Sequence, residues 1–119
     1  MQKFCVTMPI EGEYLTTVRL TVGGLCALVG LDVDAIEDYK VCVTESLLLL
    51  KRNGHSAAEL VFYVQDELTF AVTGTEKTGV VEESIEDEIS KALLSALLGQ
   101  VKFIKDSTGN VVEKIAFEG

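Results

Sequence analysis

Glu45 is the residue most able to do chemistry, a carboxylate set between Val43 and the apolar run Leu47–Leu50 in a segment otherwise suited to burial. Taking an unpaired carboxylate out of water is costly. Two readings follow: Glu45 points to a rim or pairs with a lysine or arginine, or it is an acid or base in a cleft. The one histidine, His55, lies in the polar segment Asn53-Gly54-His55-Ser56 with no nucleophile of note near it in sequence, and reads as a surface histidine. Cys5, Cys26 and Cys42 contain no C-x-x-C pair, fall on apolar faces and read as small core residues without a reactive thiol. With these ligands so scattered, no metal site is expected.

Gly74 to Gly79 follows the first half of a phosphate-cradling loop, G-x-x-x-x-G-K-[ST]. Val80-Val81 stand where lysine and a hydroxyl should follow, so the segment reads as a polar connector between a strand and a helix. The acidic run Glu82, Glu83, Glu86, Asp87 and Glu88 has the residue type for a hard cation. Its position at a helix start explains it better, since carboxylates there are stabilised by about 0.3–1 kcal/mol each.

These residues need elements to hold them. Phe4, Val6 and Met8 alternate with Lys3, Cys5 and Thr7, a half-buried strand ended by Pro9 and Gly12. Leu15, Val18, Val22, Leu25, Cys26 and Val29 recur at three and four, a helix from Tyr14 to about Val29 stopped by Gly30. A second helix is capped by Asp32 or Asp34 and runs to Arg52, with Lys51 and Arg52 in its last turn and Asn53-Gly54 as the stop. Leu60, Phe62 and Val64, then Leu68, Phe70 and Val72, alternate around Gln65-Asp66-Glu67 as a hairpin. A third helix runs from the acidic stretch to Leu98, and Val101–Lys105 with Val111–Phe117 form a last hairpin. The expectation is a single domain over 1–119 in the order β-α-α-β-β-α-β-β. It is an α/β two-layer sandwich (α+β), with a mixed, mostly antiparallel sheet and three helices on one face.

Ten lysines and arginines against nineteen aspartates and glutamates give the 119-residue chain a net charge of −9. A polyanion would be repelled, which argues against nucleic acid as partner. With 48% hydrophobic residues the chain is too apolar to be disordered. The start of the chain has no continuous apolar stretch of signal-peptide or membrane-anchor type, and the odd, unpaired cysteines fit a reducing compartment. The expectation is a cytoplasmic protein with no membrane partner.

The element order, the segment Tyr14-Leu15-Thr16-Thr17-Val18-Arg19-Leu20-Thr21-Val22, and Val41-Cys42-Val43-Thr44-Glu45-Ser46-Leu47 followed by Asn53-Gly54-His55 carry a resemblance. The chain resembles the bacterial anti-sigma-factor serine kinases of the histidine-kinase-like ATPase superfamily. The layout corresponds over essentially the whole chain and the residues correspond from about Tyr14 to Gly54. The resemblance implies that Glu45 matches the family's general base, while Leu49 replaces the asparagine that helps hold Mg²⁺. The box whose aspartate fixes adenine aligns with Gly74-Thr75-Glu76-Lys77-Thr78, where that aspartate is absent; Gly74 and Glu76 are its degenerate positions. The glycine-rich phosphate box aligns with Glu88-Ile89-Ser90, beside carboxylates that repel a triphosphate. Each lost polar contact costs about 1–3 kcal/mol, so a family site of roughly micromolar affinity falls to about millimolar or worse.

The implied function is a non-catalytic regulator acting by protein–protein binding, with Glu45 vestigial and no cofactor. Its implied partner is a sigma factor or an anti-anti-sigma factor, or a second copy in a homodimer, with Arg19 as the partner contact. The alternative is an active ATP- and Mg²⁺-dependent serine/threonine kinase of the same family. A structural domain of a larger assembly is a third reading.

Overall fold

Five strands hydrogen-bond in the order β1-β2-β3-β5-β4, every pairing antiparallel, in a computed structural model that describes residues 2–78, 81 and 85–119. The elements are β1 (Gln2–Pro9), α1 (Gly12–Leu28), α2 (Val33–Arg52), β2 (His55–Val64), β3 (Leu68–Lys77), α3 (Ile85–Leu98), β4 (Val101–Lys105) and β5 (Val112–Phe117). The expected mixed sheet is therefore corrected. The α3 crossover brings β4 back in the direction of β3, but β5 inserts between them, so no parallel neighbours meet.

Local chemistry explains most boundaries. Gly30, at φ 74°, follows α1 as its C′ residue; its N–H reaches Ala27 O at 3.1 Å, and Leu31 N–H reaches Cys26 O at 3.2 Å. This pair of bonds is a Schellman cap. Asp32, not Asp34, caps α2 by accepting from Ala35 N at 2.8 Å. Gly12 opens α1 rather than ending the first strand's turn. The hairpin strands are longer than the alternation implies: β2 begins at His55, and β3 runs through Gly74 to Lys77. Gly74–Lys77 is thus strand, not connector, while Gly79, Val80, Glu82 and Glu83 lie outside the described residues.

One face of the sheet is the core. Met8, Leu60, Phe62, Phe70, Val72 and Ile115 are buried there beneath Val43, Leu47 and Leu50 of α2, with Val18, Val22 and Leu25 of α1 and Leu94 of α3 closing the sides. Tyr39 of α2 donates to Leu68 O at 2.7 Å and stacks edge-on against Phe70 and Phe117. The opposite face carries Lys3, Cys5, Glu59, Tyr63 and Lys114 and has none of the described helices over it. Cys5 is therefore exposed, unlike Cys26 and Cys42, which corrects the expectation of three core cysteines. No described helix is long and apolar enough to cross a membrane.

Asp106 ties the turn before β5 to β3. Its Oδ2 accepts from Lys77 Nζ at 2.6 Å and its Oδ1 accepts from Thr108 N at 3.1 Å. The Lys77 bond first, and the Thr108 bonds second, hold its carboxyl well below the usual carboxylate range. A carboxyl so lowered contributes stability that is complete above the unfolded value of about 3.9 and is lost as pH falls below it. The Asp106→Asn variant should therefore be less stable than the parent at neutral pH, and the gap should begin to narrow below about pH 4 and close as pH falls through the lowered value of the folded state. Thermal melts across pH check this; a gap that does not narrow below about pH 4 refutes it.

Candidate functional site

Glu45, Leu49, Arg52 and Asn53 recur at helical spacing along one side of α2, and that side faces α3. α3 answers with Asp87 and Ser90, three residues apart and so also on one face. Arg52 sits at the centre. Its Nε donates to Asp87 Oδ1 at 2.6 Å, and a terminal nitrogen donates to Ser90 Oγ at 2.6 Å. Its other terminal nitrogen lies 3.7 Å from Glu86 Oε2. Ser90, 3% exposed, passes the contact on by donating to Glu45 Oε2 at 2.9 Å.

Asn53 extends the network toward the sheet. Its Nδ2 donates to Asp87 Oδ2 at 3.1 Å and to Leu49 O at 2.8 Å, while its Oδ1 accepts from Val112 N at 3.0 Å. Both Asp87 oxygens are thereby bonded, one to each neighbour on α2. Val112 O in turn meets His55 Nε2 at 3.1 Å. A carbonyl can only accept, so Nε2 carries the hydrogen, and the buried His55 Nδ1 has no hydrogen-bond partner among the described residues. His55 is 2% exposed, which corrects its reading as a surface histidine. It opens β2 opposite Lys77, and its ring lies against Gly74 of β3.

The other site residues fall in different places. Leu49 is fully buried in the core, one turn from Glu45. Gly74 lies under the His55 ring, where a β-carbon would come within 3.0 Å of Cγ, Nδ1 and Cδ2. Glu76 is exposed at φ 52°, an uncommon backbone for a residue with a side chain, and Ser56 Oγ donates to its carbonyl at 2.9 Å. Arg19 is remote from all of these. It is exposed and lines a shallow cleft between α1 and α2 with Thr16, Leu20, Glu37 and Lys40.

Glu45 thus fits neither sequence reading in its simple form. It reaches an arginine, but through the hydroxyl of Ser90. The sequence signal for this network was the spacing of Arg52 and Asn53 from Glu45 and of Ser90 from Asp87. Among the described residues, no three histidine, cysteine, aspartate or glutamate side chains gather as a metal-binding group. In comparisons of the sequence with protein-family models and with curated proteins, none matched.

Proposed function

We propose that this chain is a non-catalytic regulator of the anti-sigma-factor type, built on a histidine-kinase-like ATPase fold and acting by binding another protein. The observation that carries this reading is the bridging of α2 to α3 where the resemblance places the nucleotide. Arg52 spans Asp87 and Ser90 there, and the Oε2 of Glu45 already accepts from Ser90. A general base works only when it is free to reach the proton it removes. Leu49, buried one turn away, offers Mg²⁺ no ligand atom. Arg19 and the neighbouring Leu20, which is 70% exposed, present a guanidinium beside apolar surface, a combination frequent at interfaces.

Titration calorimetry with ATP and Mg²⁺ at about millimolar concentration should show no saturable heat, because a site stripped of its metal and adenine contacts binds no tighter than that. Leu49→Asn alone should not restore binding. Saturable micromolar binding, with phosphorylation of a protein partner that Glu45→Gln abolishes, would replace this reading with the kinase alternative. For the partner, purified sigma factors and anti-anti-sigma factors are the proteins to test. Arg19→Ala should weaken whichever association is found; unchanged binding would remove Arg19 from the interface.

A further inference from the structure

α3 carries two apolar stripes, and the fold buries one. Leu94 lies in the core, Ser90 is buried against α2, and Asp87 on the same side holds Arg52. The second stripe runs along the outer side as Ile85, Ile89, Ala92 and Ala96, all exposed, the two isoleucines to 78% and 59%. Local chemistry gives no reason for isoleucine there, since a branched side chain loses rotamer freedom in a helix and these two bury little in exchange. The stripe spans three turns, about 17 Å.

Its spacing fits another helix. Steps of four, three and four are those of a coiled-coil seam, positions d, a, d and a of successive heptads. In that register Asp87 and Leu94 fall at f, opposite the seam, and they face the rest of the protein. The packing of α3 therefore leaves the whole seam outward. Charge decides whose helix it suits. Beside the isoleucines, positions e and g are Glu86 and Glu88. Their side chains are 69% and 77% exposed, and their contacts to Arg52 and Lys91 are long, at 3.7 and 3.6 Å. A second α3 offers no cation to them, because its own e and g positions hold Glu86, Glu88, Leu93 and Ser95. Two bodies of net charge −9 also repel each other. A helix with lysine or arginine at e and g supplies the missing charge and is drawn in by the same field.

We propose that the outer side of α3 is a docking site for a basic amphipathic helix of a different protein. That helix lays its apolar a and d residues on Ile85, Ile89, Ala92 and Ala96 and sets its flanking cations against Glu86 and Glu88. The site is on a different helix from the Arg19 cleft, which α1 and α2 form. It does not depend on the fate of the nucleotide site. Neither ATP binding in the calorimetry nor unchanged association of Arg19→Ala would touch it.

NMR of the nitrogen-15-labelled chain reads the site amide by amide. The probe is a synthetic peptide of three heptads with leucine at a and d and lysine at e and g, whose own lysines keep it from pairing with itself. A peptide of the same composition in scrambled order is the control for charge alone. The heptad peptide should shift the α3 amides saturably, with a Kd on the order of tens of micromolar, and the scrambled peptide should not. Ile89→Glu decides between seam and charge. It makes the chain more acidic, so a purely electrostatic association would tighten, whereas loss of the central isoleucine should weaken seam docking at least about tenfold. Its exposure lets the unbound fold tolerate the change. The double variant Glu86→Lys, Glu88→Lys should shift the preference toward a peptide with glutamate at e and g. The proposal is overturned by the absence of saturable shifts, by shifts spread over acidic surface away from α3, or by an Ile89→Glu protein that binds as tightly as the parent. α3 amides that move with the concentration of the chain alone would also overturn it, because the occupant would then be a second copy.

Discussion

Replacing Arg52 with methionine should lower stability by about 2–4 kcal/mol, a loss of roughly 10–20 °C in Tm for a chain of this size. The argument is one of stranded partners. The Arg52 side chain is only 13% exposed and that of Asp87 19%. Methionine keeps much of the aliphatic stem's packing but removes the donors to Asp87 Oδ1 and Ser90 Oγ. Asp87 would retain only Asn53 among its α2 partners, and a carboxylate left half-paired in such a place carries much of its desolvation cost. Breaking a fully buried pair costs about 3–5 kcal/mol, and the residual exposure here sets the expectation somewhat lower. The double variant Arg52→Met, Asp87→Leu should recover most of the loss, because it removes the stranded charge together with its partner. Chemical denaturation of the two single variants and the double completes the cycle. An Arg52→Met protein within about 0.5 kcal/mol of the parent would mean that the contact is a surface ornament of the kind exposed pairs usually are.

Why Arg52 and Asp87 escaped a reading of the sequence is a matter of local sufficiency. Each has a complete local explanation, a cation in the last turn of one helix and an anion in the first turn of another. Nothing within either segment asks for the other, 35 positions away. Only the packing of α3 on α2 joins them. Element order, by contrast, depends on periods of two and between three and four that each segment carries by itself, and these placed all eight elements in sequence. The errors at strand ends have one cause. His55 and Gly74 have polar neighbours that locally suit a turn or a connector, and only ladder pairing between the two segments, which neither carries by itself, extends β2 over His55 and β3 over Gly74. Cys5 was misplaced for the converse reason. Alternation along β1 marks two faces, and only the fold says that the second is bare of helices.

Gly74→Ala should be nearly as damaging as the loss of Arg52, at about 2–4 kcal/mol, although it adds a single methyl. The backbone at Gly74 needs no unusual angle, so the requirement is one of space. A β-carbon there lies within 3.0 Å of three atoms of the His55 ring, closer than such contacts occur. The ring cannot simply swing away. Its Nε2 is bonded to Val112 O at 3.1 Å, and Val112 N is held in turn by Asn53 Oδ1 at 3.0 Å, so displacement pulls on β5 and on the helix network together. Overpacking alone costs about 1–3 kcal/mol, and a buried carbonyl left without its donor adds about 1–3 more. His55→Ala should be destabilising as well, through the cavity it leaves and the same unpaired carbonyl. Together, however, the two changes must be less than additive by at least about 1 kcal/mol, because with His55 gone the new methyl occupies vacated space instead of colliding. Equilibrium denaturation of the parent, both single variants and the double measures that coupling. Strict additivity, or a Gly74→Ala protein as stable as the parent, would show that glycine at 74 does not serve the approach of the imidazole.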